Sequence, residues 1–153
     1  MRFFILLCAI MAWSVPARAE GLYDPDLSLS NMKNVKVELN DEVSGACWTN
    51  LKEVREYAEE KLRMKGAKVV SDRTDFPMAV VNTYNLEITA MGWRLKGLNN
   101  GCVGMIHVQL YNWEKLKGII HQATVLQQTT LTIQPNLNRD VIETVSSAMA
   151  KLK

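Results

Sequence analysis

The chain has 153 residues, with 18 Lys and Arg against 16 Asp and Glu, and 48% of it is hydrophobic. That length makes one domain of ordinary size with a core, and leaves little room for a second. An amino-terminal leader carries Arg2 and Arg18, and without it 16 basic residues face 16 acidic ones, which argues against a nucleic acid or an anionic membrane surface as partner.

That leader has the basic Arg2, an apolar run over residues 3–13, and Ala17-Arg18-Ala19 before Glu20. This is the pattern of a secretory signal peptide over residues 1–19, cleaved after Ala19. The run is well short of the ~20 residues that a bilayer-spanning helix needs, and no second such run follows. Cys8 lies inside the apolar run, too early for a lipid-attachment cysteine. The mature chain is thus expected to be periplasmic or secreted, with no transmembrane segment.

Residues 20–33 hold Asp24, Pro25, Asp26, Ser28, Ser30 and Asn31 among isolated apolar residues, and read as an extended arm before a domain over 34–153. Val35, Val37 and Leu39 alternate with Lys36 and Glu38, which predicts a strand buried on one face. Asn40 to Gly45 is expected to be a polar connection. Asn50 then caps a helix whose stripe is Leu51, Val54, Ala58 and Leu62. Glu53 completes a capping-box-like arrangement, and Gly66 stands at the left-handed end position. A short strand over 67–70 follows, and then a loop.

Residues 78–90 alternate as a strand, with Val80, Tyr84, Leu86, Ile88 and Ala90 on one face. Gly92 breaks it, and Asn99-Asn100-Gly101 signals a turn. From Cys102 a strand places Gly104, Ile106, Val108 and Leu110 inward, with Val103, Met105, His107, Gln109 and Tyr111 opposite. Residues 112–118 turn the chain back into a long strand over 119–133, whose alternation falters near Gln127 and predicts a bulge or bend. After Pro135, Asn136 or Asn138 caps a last helix with the stripe Val141, Ile142, Val145, Ala148, Met149 and Leu152. The expected fold is two-layer α+β, a mixed or mainly antiparallel sheet of about five strands with two helices on one face.

The mature chain keeps Cys47 and Cys102, and in an oxidising compartment a disulfide between them is the default. The absence of a Cys-x-x-Cys pair argues against a redox centre.

The only histidines, His107 and His121, fall on the two strands of one hairpin. A turn centred on Glu114 would set them opposite each other on one face, where Glu87 from the next strand could complete a metal site. A register shift of one residue destroys that arrangement. Trp93 after the Gly92 break and Trp113 in the hairpin turn, with Tyr111 nearby, are candidate anchors for a ligand or protein partner. Chemistry of other kinds has little to rest on. The chain has no Gly-x-Ser-x-Gly elbow, no His-Glu-x-x-His and no glycine-rich phosphate loop. A carboxylate pair from Glu87 and Glu114, or a hydrolase built from dispersed carboxylates, is the remaining enzymatic reading.

The helix ending at Leu62 to Gly66, the strand leaving it through Val69 and Val70, the long polar-alternating strands and the last amphipathic helix resemble, over residues 34–152, small periplasmic proteins of bacteria. In element order they are similar to the amino-terminal part of TolB and to the lipoproteins that activate penicillin-binding proteins. That resemblance implies binding and assembly roles in the envelope. The function expected is a non-enzymatic binding or envelope-assembly accessory with a protein partner and no cofactor. The alternative is a small-ligand or metal-binding protein using His107 and His121.

Overall fold

In a computed structural model of the chain, the alternating stretches form strands and the two striped stretches form helices. In order they are β1 (Val35–Val43), α1 (Leu51–Met64), β2 (Val69–Val70), β3 (Tyr84–Arg94), β4 (Cys102–Leu116), β5 (Ile119–Gln134) and α2 (Asn138–Ala150). The structure describes residues 32, 34–70, 83–97 and 101–152. The expected signal peptide, the arm up to Asn31, the loop after Val70, Val80 and the Asn99-Asn100 turn lie outside them. The strands make one open sheet in the order β2-β1-β3-β4-β5. β1 runs parallel to β2 and β3, whereas β3, β4 and β5 are antiparallel. The fold is α+β, as expected.

Both helices cover one face of the sheet. Val54, Ala58 and Leu62 of α1 and Val141, Val145, Ala148 and Met149 of α2 join Val35, Val37, Leu86, Ile88, Ile106, Val108 and Leu110 of the strands in one buried cluster. Each large aliphatic side chain in it contributes about 1.5–3 kcal/mol relative to exposure.

α1 ends as Gly66 predicts. Gly66 takes φ +89°, Ala67 N–H donates to Leu62 O at 3.0 Å and Gly66 N–H to Arg63 O at 3.0 Å. These are the paired bonds of a Schellman motif, closed by the buried Leu62 and Ala67. Its start differs from expectation. The Asn50 side chain does not cap the backbone. Its Oδ1 accepts from Trp48 Nε1 at 3.0 Å, and its Nδ2 donates to Glu53 at 3.0 Å. α2 likewise starts without the expected Asn136 or Asn138 cap: Leu137 stands at the N-cap with no side-chain cap bond, and Asn136 Oδ1 accepts from Asn138 N–H at 3.1 Å.

Cys47, in the connection from β1 to α1, is disulfide-bonded to Cys102 at the head of β4, and both are fully buried. Leu137 N–H donates to Cys47 O at 2.7 Å, which brings the start of α2 to the same corner. There Gly92 of β3 pairs with Gly104 of β4. A Cβ on Gly104 would stand 2.7 Å from Leu137 Cδ1 and 2.8 Å from Met91 O. Two glycines side by side thus let the α2 entry settle directly on the sheet.

β2 is shorter than expected, without Ala67 and Lys68, and Thr83 stands outside β3, whereas three strands run past their expected ends because pairing partners extend them beyond a local break. β1 continues to Val43, since Asp41, Glu42 and Val43 pair with Ala90, Met91 and Gly92. β3 passes through Gly92 to Arg94, whose Nε donates to Gly45 O at 2.8 Å. β4 runs to Leu116, and the hairpin turns at Lys117 and Gly118, with φ 51° and 85°. The expected irregularity in β5 is present. Leu110 pairs with Leu126 and Tyr111 with Thr124, so Val125 is a one-residue bulge.

Candidate functional site

The helices leave the other face of the sheet uncovered, and side-chain alternation with the observed register maps it row by row. From one end the rows are Lys36, Asn85, Tyr111 and Thr124; then Glu38, Glu87, Gln109 and Gln127; then Asn40, Thr89, His107 and Thr129. The next is Glu42, Met91, Met105 and Leu131, and the last is Trp93, Val103 and Ile133. The face is polar at one end and apolar at the other.

The polar end satisfies itself. Glu87 Oε1 accepts from Asn40 Nδ2 at 3.0 Å and from Thr89 Oγ1 at 3.1 Å, and its Oε2 from Gln109 Nε2 at 3.2 Å. Lys36 Nζ donates to Glu38 Oε1 at 2.7 Å, and His107 Nδ1 lies 2.9 Å from Thr129 Oγ1. Tyr111 is buried, and its ring meets Trp113 edge-on with centroids 6.1 Å apart. Burial above all, and then the neighbouring Glu38 and Glu87 carboxylates, push the Tyr111 hydroxyl up to about 12. On the helix side, burial and Glu114 raise Tyr84 in the same direction.

The apolar end has no such closure. Trp93 is 58% exposed, Leu131 78% and Ile133 69%, with Met91, Val103 and Met105 half-buried between them. Exposed large side chains adjacent on three strands form a patch, which is a different matter from scattered single ones.

Several expected site residues do not meet. His107 pairs with Thr129 and His121 with Glu114, because the hairpin turns at Lys117 and Gly118 and not at Glu114. His107 therefore lies on the open face and His121 on the helix side, 3.8 Å from Glu114. The His107, His121 and Glu87 metal site is not formed, and among the described residues no group of three His, Cys, Asp or Glu side chains is placed to hold a metal ion. Glu87 and Glu114 are likewise on opposite faces and form no carboxylate pair. Trp93 and Trp113 stand in strands and not in loops. Trp93 belongs to the apolar end, whereas half-buried Trp113 lies beyond the polar rows with Tyr111. A cleft of about 390 Å³ between the amino-terminal ends of the helices is lined by Asn50, Glu53, Asn138, Arg139, Ile142 and Glu143. Its charged groups are paired, Arg139 with Glu143 at 2.6 Å and Glu53 with Asn50.

The sequence reading passed over Met91, Leu131 and Ile133. Their signal was the alternation of Leu131 and Ile133 with Thr130 and Thr132, whose direction depends on the bulge at Val125.

No family model matches the chain, and no curated protein matches it. Solved structures with a similar course include a PelC dodecamer from Paraburkholderia phytofirmans, 14% identical, covering 80% of this chain and 88% of that one, with a TM-score of 0.47. A minor lipoprotein from Acinetobacter baumannii is 14% identical, with 79% and 90% covered and a TM-score of 0.37. A homolog of neuraminyllactose-binding hemagglutinin from Helicobacter pylori is 12% identical, with 80% and 87% covered and a TM-score of 0.47. Similarity at this level carries no inference about ligand or partner.

Proposed function

We propose that the chain is a non-enzymatic binding protein of the bacterial envelope, periplasmic or secreted, that docks a protein partner on the apolar end of its open sheet face. The observation that carries this reading is the patch of exposed Trp93, Leu131 and Ile133 with half-buried Met91, Val103 and Met105 between them, adjacent on three strands. An exposed tryptophan amid aliphatic side chains is the composition of a binding hot spot. The signal-peptide pattern and the buried disulfide support an oxidising compartment. The element order similar to TolB's amino-terminal part and to activators of penicillin-binding proteins supports an assembly role. Among the described residues no helix is long and apolar enough to cross a membrane.

The test is affinity capture by residues 20–153 from an envelope fraction, comparing wild type with Trp93→Asp and Ile133→Asp. A stoichiometric partner held by wild type and Trp113→Ala but lost from the two aspartate variants is the expected result. Identical captured proteins from all four would discard the patch as the docking surface.

A further inference from the structure

β5 ends the sheet, and among the described residues no strand lies beyond it. Sheet edges in soluble proteins are ordinarily guarded by shortness, charge, proline or bulges, because their unpaired N–H and C=O groups template pairing with another chain. The opposite edge follows that rule, since β2 has only two residues. β5 does not. It has 16 residues and contains no Lys, Arg, Asp or Glu, whereas β1 carries four such residues and β3 and β4 two each. Its one irregularity, at Val125, leaves residues 126–134 as a regular run up to Pro135. α2 braces this run from behind: Asp140 bonds Thr132, Thr144 Oγ1 lies 3.1 Å from Thr130 Oγ1, and Lys151 bonds Gln128.

We infer that the β5 edge pairs with the β5 edge of a second copy of this chain, antiparallel about a two-fold axis, joining two five-stranded sheets into one. Two arguments select a second copy over a foreign strand. β5 itself has no fixed charge, and the α2 charges bonded to it, Asp140 and Lys151, are of opposite sign, so the edge offers no selection of a peptide of one charge. The mature chain has equal numbers of acidic and basic residues, so two copies do not repel. The area also suffices. Residues 126–134, at ~3.4 Å each, run ~30 Å, and a domain two layers deep is ~20 Å across, giving ~600 Å² per copy. The total of ~1,200 Å² reaches the lower bound for a specific interface. A two-fold axis normal to the sheet keeps both helix layers on one side and both open faces on the other, and pairing of residues 126–134 about Thr130 sets Leu131 of one copy opposite Thr129 of the other and Ile133 opposite Gln127. This inference stands independently of the proposed partner, since it concerns the strand edge and not the sheet face.

The experiment is sedimentation velocity on residues 20–153 over a micromolar concentration series, with the double variant Gln127→Lys, Thr129→Lys and with Trp93→Ala. Both lysines sit on exposed positions of β5 outside the apolar rows, and near-UV circular dichroism checks that each variant is folded. The expected result is a wild-type dimer, kept by Trp93→Ala, and weakened by more than ~100-fold by the double variant, whose substituted residues 129 are diagonal neighbours across the axis and whose substituted residues 127 stand opposite Ile133 of the other copy. Concentration-dependent protection of amides in residues 126–134 accompanies it. A wild-type monomer throughout the series overturns the inference, as does a dimer that Trp93→Ala dissolves and the lysine pair leaves intact, which would place the contact on the open face.

Discussion

Tyr111 stands in an environment far from that of a free side chain. It is enclosed at the polar end of the open face with Glu38 and Glu87 beside it, and its hydroxyl is held up to about 12. In the unfolded chain a tyrosine releases its proton near pH 10. Between those values the unfolded state has lost a proton that the folded state retains, so stability falls as pH rises through this window and is unaffected by this group below it. Tyr111→Phe should therefore lose less stability than wild type between pH 10 and 12, measured by urea unfolding at stepped pH. Coincident curves would show that Tyr111 ionises freely in the fold. Its burial was not legible in the sequence, which marked it only as an outward aromatic on β4. Alternation assigns a face but not the depth to which cross-strand neighbours such as Asn85 and Thr124 enclose a ring.

At the scale of elements, the contact that docks α2 on the sheet rests on the absence of a side chain. Leu137, the residue just before α2, occupies the space above Gly104, and a methyl group there would strike both Leu137 and the Met91 carbonyl. Leucine can shift, but a backbone oxygen inside a paired strand cannot. Gly104→Ala is expected to cost about 1–3 kcal/mol as overpacking, read as a lower urea midpoint at unchanged slope. A variant as stable as wild type would mean that α2 tolerates displacement. The helices and the faces of β3 and β4 were readable from their stripes, since a period repeated over several turns or pleats is redundant. The closure of the β4–β5 hairpin was not. Its turn uses Lys117 at positive φ beside Gly118, without the Asn-Gly signature, and moving the turn from Glu114 sends His107 and His121 to opposite faces.

Across the whole molecule, the Cys47–Cys102 bond ties the connection between β1 and α1 to the head of β4, across 55 positions of sequence. The chain-entropy model values such a closure at about 4 kcal/mol. The double substitution to alanine should lower the unfolding free energy by roughly that amount, and dithiothreitol should do the same to wild type but not to the variant. An unchanged midpoint would mean that buried packing alone holds the corner. The pairing of these cysteines was legible because no other cysteine follows the leader pattern over residues 1–19, whereas the exposed apolar end was not, because it depends on a feature that occupies a single position.

That feature is the extra residue at Val125. Were the hairpin to zip without it, each residue of β5 beyond Leu110's partner would exchange faces: Leu131 and Ile133 would turn in beneath α2, and Leu126 would turn out. The strand as built is amphipathic in the inverse sense there, showing threonines to the helix and aliphatic side chains to solvent. The chain thus forgoes burial worth about 1.5–3 kcal/mol for each of those two residues. Val125 acts as a phase shifter between the two halves of one strand, so the lipophilic character of the outer surface is governed by one inserted residue and not by overall composition.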